Sequence, residues 1–250
     1  MPAEHRDAAR RYRAGLAARK GEATFQVVVG ESDLLITATS DLSSVAGGAV
    51  RALRGQITSY AALHPDFLDS LSPLPPAPGA PEIVRRMCAA AAAVDVGPMA
   101  AVAGAVAMMT AEALSSLSTE LLVENGGDLY CISTKERTIG LLADPAQGIA
   151  LGVRVAADEF PVSFCSSSGR IGHSLSFGRG DLVAVRAGDA CLADAAATAL
   201  ANRLGTSRDL TRVTDQAMAW EGIGIEGVFA QLGEKMAVWG RMELTAAALD

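Results

Sequence analysis

One run constrains the fold more than any other: Cys88 to Met109, CAAAAAVDVGPMAAVAGAVAMM. It has nearly the length of a bilayer crossing. Asp95, Gly97 and Pro98 fall in its middle, however, and alanine and glycine contribute little transfer energy. A buried pair of helices satisfies the run better. The first is expected over Glu82 to Val94, and the second restarts at Gly97-Pro98 and continues to about Leu117, with proline suited to a first helical turn. The first amides of this second helix would be open to an anionic ligand approaching at Gly97; the structural alternative is that Asp95 caps the helix.

Around this pair, helix and strand signals alternate without a regular βαβ rhythm. FQVVVGESDLLITAT, from Phe25 to Thr39, reads as a hairpin turning at Gly30-Glu31-Ser32-Asp33. Asp41 to Leu63 carries Val45, Val50, Leu53 and Ile57 at roughly helical spacing. The Pro-rich stretch Leu71 to Pro81 cannot continue a helix and is expected to cross the surface as an extended loop. Further on come a strand broken at Gly126-Gly127, a strand pair over Arg137–Leu142 and Gly148–Val155 turning at Asp144-Pro145, and an alternating region after Phe160. The helix Cys191 to Gly205 follows, then a last helix and strand through Val228 to Gly233, with Met236 to Trp239 and the terminal ELTAAAL unassigned. The expected fold is α+β, with antiparallel sheets covered by alanine-rich helices. It is read as one domain over residues 1–250, which two closely packed lobes could build.

Charge and cysteine usage narrow the function. With 28 acidic against 21 basic residues there is no general basic field, which argues against nucleic acid and anionic membrane as partners. Cys88, Cys131, Cys165 and Cys191 are widely spaced and form no CxxC pair, as expected of reduced thiols. The charged N-terminus has no apolar core of signal-peptide length, so the expected location is cytoplasmic. Three histidines do not supply a histidine-rich zinc centre. The alanine-rich helical faces leave a homodimer open.

Four segments carry possible chemistry. In CLADAAATALANRLG, Asp194 and Thr198 lie four residues apart and share one helical face. One Asp and one Thr suffice for Mg²⁺ when water and a substrate phosphate complete its shell, whereas the structural alternative is that Asp194 only caps a core helix. Glu124-Asn125-Gly126-Gly127-Asp128 is either a tight hairpin turn or a place where backbone approaches a ligand, with Asn125 and Asp128 as candidate polar contacts. CSSSGRIGHSLSFG, from Cys165, offers three serines and a glycine, a composition able to cradle a phosphate or a carbonyl, and a candidate general base in His173. No G-x-S-x-G elbow accompanies it, which sets a serine hydrolase aside. The fourth segment is VDVGPMAA, at residues 94–101.

Taken in order, VDVGPMAA, ENGGD, SSSG with GHSLSFG, and ADAAATA resemble the ApbE-like superfamily, best known for FAD:protein FMN transferases. Their order and spacing agree over about 110 residues, and the chain is most similar to a group of short ApbE-like proteins. The resemblance implies an ApbE-like, T-fold-like architecture. It also implies Mg²⁺ held by Asp194, Thr198 and the Ala100 carbonyl, and FAD approached at Gly97, Asn125, Gly126, Gly127, Asp128, Ser168 and Gly169. His173 matches the histidine that activates an acceptor hydroxyl, and the implied partner is an acceptor protein bearing Ser or Thr. Ala101, however, stands where the family has lysine, Pro98 replaces a glycine, and SLSFG follows His173 in place of Asp-Pro-x-Thr-Gly. The alternative expectation is therefore a non-catalytic module that holds a flavin or another nucleotide.

Overall fold

The computed structural model describes residues 19–144, 149–168 and 182–246. His173 and Gly169 lie outside these residues, as does most of the turn expected at Asp144-Pro145. The chain opens with a hairpin, β1 (Ala23–Val29) and β2 (Ser32–Ala38), whose turn is Gly30-Glu31. Helix α1 (Ser43–Leu63) follows, its start marked by Asp41 Oδ1 accepting from the Ser43 amide at 2.8 Å. After the short α2 (Asp66–Asp69), residues 70–81 form neither helix nor strand, as the prolines require.

The alanine-rich run folds as α3 (Glu82–Val94), a 3-10 turn (Pro98–Ala101) and α4 (Val102–Leu114). The helices bend by 105° at the break, and among the described residues no single helix is long and apolar enough to cross a membrane. Two expectations are corrected here. Asp95 does not cap the second helix: it closes α3 in the left-handed conformation (φ 62°), a role aspartate tolerates because its short polar side chain can bond locally. The second helix also stops at Leu114 instead of Leu117, where Ser115 turns its hydroxyl onto the Glu112 carbonyl at 2.8 Å and competes with the helical ladder.

The remaining elements are β3 (Leu121–Asn125), β4 (Asp128–Ile132), β5 (Arg137–Asp144), β6 (Ile149–Val155), β7 (Val162–Ser167), β8 (Leu182–Ala187), α5 (Ala190–Ala201), α6 (Asp209–Ala219), β9 (Ile225–Leu232), β10 (Lys235–Gly240) and β11 (Glu243–Ala246). Eight strands make one antiparallel sheet in the order β1-β2-β3-β4-β7-β8-β9-β10, and β11-β6-β5 make a second. The stretches left unassigned by periodicity are thus β10 and β11.

Period-two alternation sorts the large sheet into two buried faces. Leu121, Val123, Tyr130, Cys165, Val183, Val185 and Val228 join a core with the helices. Leu122, Leu129, Cys131, Val162, Phe164 and Phe229 join a second core with Ile139, Val153 and Val155 of the small sheet. The fold is therefore α+β in three layers, and its central strands are covered on both sides. A buried ion cluster ties the layers together: Arg137, at the start of β5, bonds both Glu22 and Glu120, just before β1 and β3. The four cysteines are free and buried.

Candidate functional site

Helix α5 is positioned by its own cap. Asp189 Oδ1 accepts from the amides of Cys191 (2.7 Å) and Leu192 (3.1 Å), so α5 starts at Ala190 without help from Asp194. Asp194 instead reaches across to α4, where its Oδ2 accepts from the Gly104 amide at 2.8 Å. The carboxylate therefore sits at the N-terminus of a neighbouring helix, where free amides and the helix dipole favour negative charge. The anion-binding helix start that the sequence suggests at Pro98 lies four residues later, at Val102, and is already met by this side chain. Gly104 is what permits the approach: a Cβ there would stand 2.2 Å from the Ala190 carbonyl oxygen.

The β3–β4 hairpin reaches the same place. Gly126 and Gly127 both have positive φ (70° and 108°), Asn125 pairs with Asp128 across them, and the result is a two-residue turn. Asn125 Nδ2 donates to the Ala103 carbonyl at 3.1 Å, tying the end of β3 to the start of α4. Asp128 Oδ1 accepts from the Ser166 amide at 3.1 Å, and the Ser166 hydroxyl donates to the Gly127 carbonyl at 3.1 Å. Both polar side chains of the turn are thus engaged inside the protein. Gly97 has no room for a side chain, because a Cβ there would stand 1.7 Å from the Ser70 carbonyl oxygen.

Asp194, Thr198, Asn125 and Asp128 are all buried, and α5 packs against both β7 and the 98–101 turn that carries Ala100. Burial pushes the Asp194 carboxyl well above the usual range, the charge of Asp128 adds to this, and the Gly104 and Ala103 amides oppose it. Burial also raises Asp128, against the pull of the Ser166 amide and with a push from Glu124. The Cys165 thiol, donating to the Ala190 carbonyl at 3.6 Å, is pushed up by burial and by both aspartates, which removes it as a nucleophile.

Two buried carboxyls, both raised by burial and one of them further raised by its neighbour, form a site that a cation would relieve. The donors are all hard oxygens, the kind that Mg²⁺ or Ca²⁺ takes, and an ionised carboxylate keeps acceptor sites beyond the two amides it serves. Among the described residues no three His, Cys, Asp or Glu side chains converge as a protein-only metal centre would need. Such a cation would have to complete its shell from Thr198, backbone carbonyl, water and ligand. The structure thus brings Asp194, Asn125, Gly126, Gly127 and Asp128 together, with Thr198 and Ala100 on the adjoining helix and turn. Sequence reasoning missed Gly104, and it singled out the stretch from Cys165 without assigning Ser166 or Cys165 to the site. For Gly104 the available signal was a small residue just inside a helix start.

An antiparallel eight-stranded sheet with helices on one face and a small sheet on the other defines the class: this is the fold of the ApbE flavin transferases. The apo form of the flavinyl transferase ApbE of Pseudomonas stutzeri matches with a TM-score of 0.55 at 14% identity, covering 91% of this chain and 95% of that one. The flavin transferase ApbE from Vibrio cholerae matches at 0.57 and 11% identity, with 88% and 96% covered. Residues 14–222 match the family described as AbpE bacteria, and the chain belongs to this ApbE-like family. Its relatives include UPF0280 proteins of Methanocella arvoryzae, 34% identical over 88% of this chain and 89% of theirs, and of Methanopyrus kandleri, 36% identical over 87% and 90%.

Proposed function

We propose that this chain binds a flavin dinucleotide, FAD, together with Mg²⁺ at the junction of α4, α5 and the β3–β4 turn. The observation that carries the reading is Asp194: a buried carboxylate beside a second one, held where two helices meet, in a fold shared with flavin transferases. Asp194 and Thr198 hold the cation with the Ala100 carbonyl, and Gly97, Asn125, Gly126, Gly127, Asp128, Ser168 and Gly169 frame the nucleotide. Bound there, the cation supplies charge neutralisation to phosphoryl oxygens. His173 takes the proton of an acceptor hydroxyl, so that FMN passes to a protein Ser or Thr, or to water, and AMP leaves.

A second reading, binding without chemistry, is favoured by Ala101. It occupies the family's lysine position and is fully buried, so it offers no positive group to a leaving phosphate. Titration of metal-stripped protein with FAD, with and without Mg²⁺, followed by chromatography for AMP and FMN, separates the two. Mg²⁺-dependent binding with AMP release, lost in Asp194→Ala, supports transfer or cleavage. Binding with FAD intact selects the second reading, and no binding under either condition overturns both.

A further inference from the structure

Three buried polar atoms have no hydrogen-bond partner among the described residues: Thr110 Oγ1, Gln231 Oε1 and Ser167 Oγ. Gln231 stands on β9, and Thr110 lies nearly two turns past Gly104 along α4. Ser167 is different, because the register of β7 carries it to the site. It is 5% exposed and shares its strand face with Cys165, whose thiol meets the Ala190 carbonyl at the start of α5. Strand β8 runs antiparallel to β7 and ends at Ala187 opposite Ser163, while Ala190 at the start of α5 meets Cys165, two residues further along β7, so α5 sets off in the direction of β7. From the Cys165–Ala190 contact, Ser167 is about 7 Å further along the strand. Asp194 is about 6 Å and Thr198 about 12 Å further along the helix. The hydroxyl of Ser167 therefore lies level with the stretch between Asp194 and Thr198.

An orphaned buried hydroxyl costs stability, since its lost hydration is not replaced. At the edge of a candidate ligand site, the place for such a group is beside something that arrives later. We infer that Ser167 Oγ is a ligand-binding group which donates a hydrogen bond to a phosphate oxygen of the bound nucleotide. The inference rests on the nucleotide reading above. Phosphate fits better than the flavin ring because the hydroxyl stands alongside the two residues that hold the cation, and a cation draws phosphate oxygens to itself. A neutral donor is also what a site lined by Asp128 and Asp194 can offer an anion once the cation has offset their charge.

The test uses the full chain and Ser167→Ala, titrated with FAD, ADP and riboflavin in saturating Mg²⁺, alongside urea unfolding of both proteins without ligand. Removing an unpartnered hydroxyl leaves the ligand-free protein as stable as wild type or more so, whereas a structural serine would show as a loss. The expected binding result is an affinity about tenfold weaker for FAD and for ADP, with riboflavin unchanged. Ser167→Thr keeps the hydroxyl and restores affinity towards wild type. Equal affinity of wild type and Ser167→Ala for FAD and ADP overturns the assignment to phosphate, as does a loss confined to riboflavin. A destabilised Ser167→Ala with intact affinity makes the serine structural and overturns it too. If wild type binds neither FAD nor ADP, the nucleotide reading itself falls and takes the inference with it.

Discussion

Replacing Gly104 by alanine adds one methyl group where α4 crosses α5. That methyl carbon would stand 2.2 Å from the Ala190 carbonyl oxygen and 2.9 Å from Asp194 Cβ, against ordinary contact at 3.4–4 Å. To relieve the overlap with the carbonyl the helices must part by about 1 Å, which costs about 1–3 kcal/mol in a packed core. The same movement stretches the 2.8 Å bond from the Gly104 amide to Asp194, and losing a helix cap costs about 1 kcal/mol more. The expected loss is about 2–4 kcal/mol, read from urea unfolding, together with weaker Mg²⁺-dependent FAD binding because Asp194 is displaced. Gly48→Ala is the control. Gly48 lies inside α1 with no atom within 4 Å of a new Cβ, so alanine there should stabilise by about 0.5–1 kcal/mol. A Gly104→Ala protein as stable as wild type, with undiminished FAD affinity, would refute the argument that this crossing sets the site.

The buried Glu120 gives a pH test. Burial pushes its carboxyl up, but hydrogen bonds from Ser133, Thr134 and Arg137 outweigh this and lower it from 4.5 to about 2. A depressed folded-state value means stability that is present above pH 4.5 and lost as pH falls towards 2, up to about 3 kcal/mol. The stability difference between wild type and Glu120→Gln should shrink over that window, and a difference constant with pH contradicts the assignment. Asp189→Ala should cost about 1 kcal/mol by uncapping α5, read as a lower urea midpoint. A thiol reagent should find no reactive cysteine in the native protein and all 4 after unfolding, with early modification contradicting their burial.

How much of this was legible in the sequence depended on how local each determinant is. The span of α3 follows from its own periodicity and from the break at Asp95-Val96-Gly97, and the first hairpin from its own turn residues. The paired glycines announced the β3–β4 turn because two successive positive-φ positions admit little else. The role of Asp194 was not legible in the same way. Its spacing from Thr198 is local, but the amide it accepts from belongs to a residue 90 positions away, on another helix. Nothing in CLADAAATALANRLG names that partner. Strand β10 went unassigned for a related reason: it is a largely exposed edge, so burial imposes little pattern on it.

The double burial of the central strands also governs how the molecule breathes. Strands β3, β4, β7 and β8 have neighbours on both edges, helices on one face and, over much of their length, the small sheet on the other, whereas β1 and β10 pair along one edge only among the described residues. Local opening therefore begins at the rims of the large sheet, and amides in its middle exchange only as the whole sheet comes apart. The turn bearing Asn125 to Asp128 and the end of β7 extend from that middle. The buried groups Asn125, Asp128 and Ser167 are thus mounted on the part of the chain that fluctuates least, and the rims can fray without disturbing them.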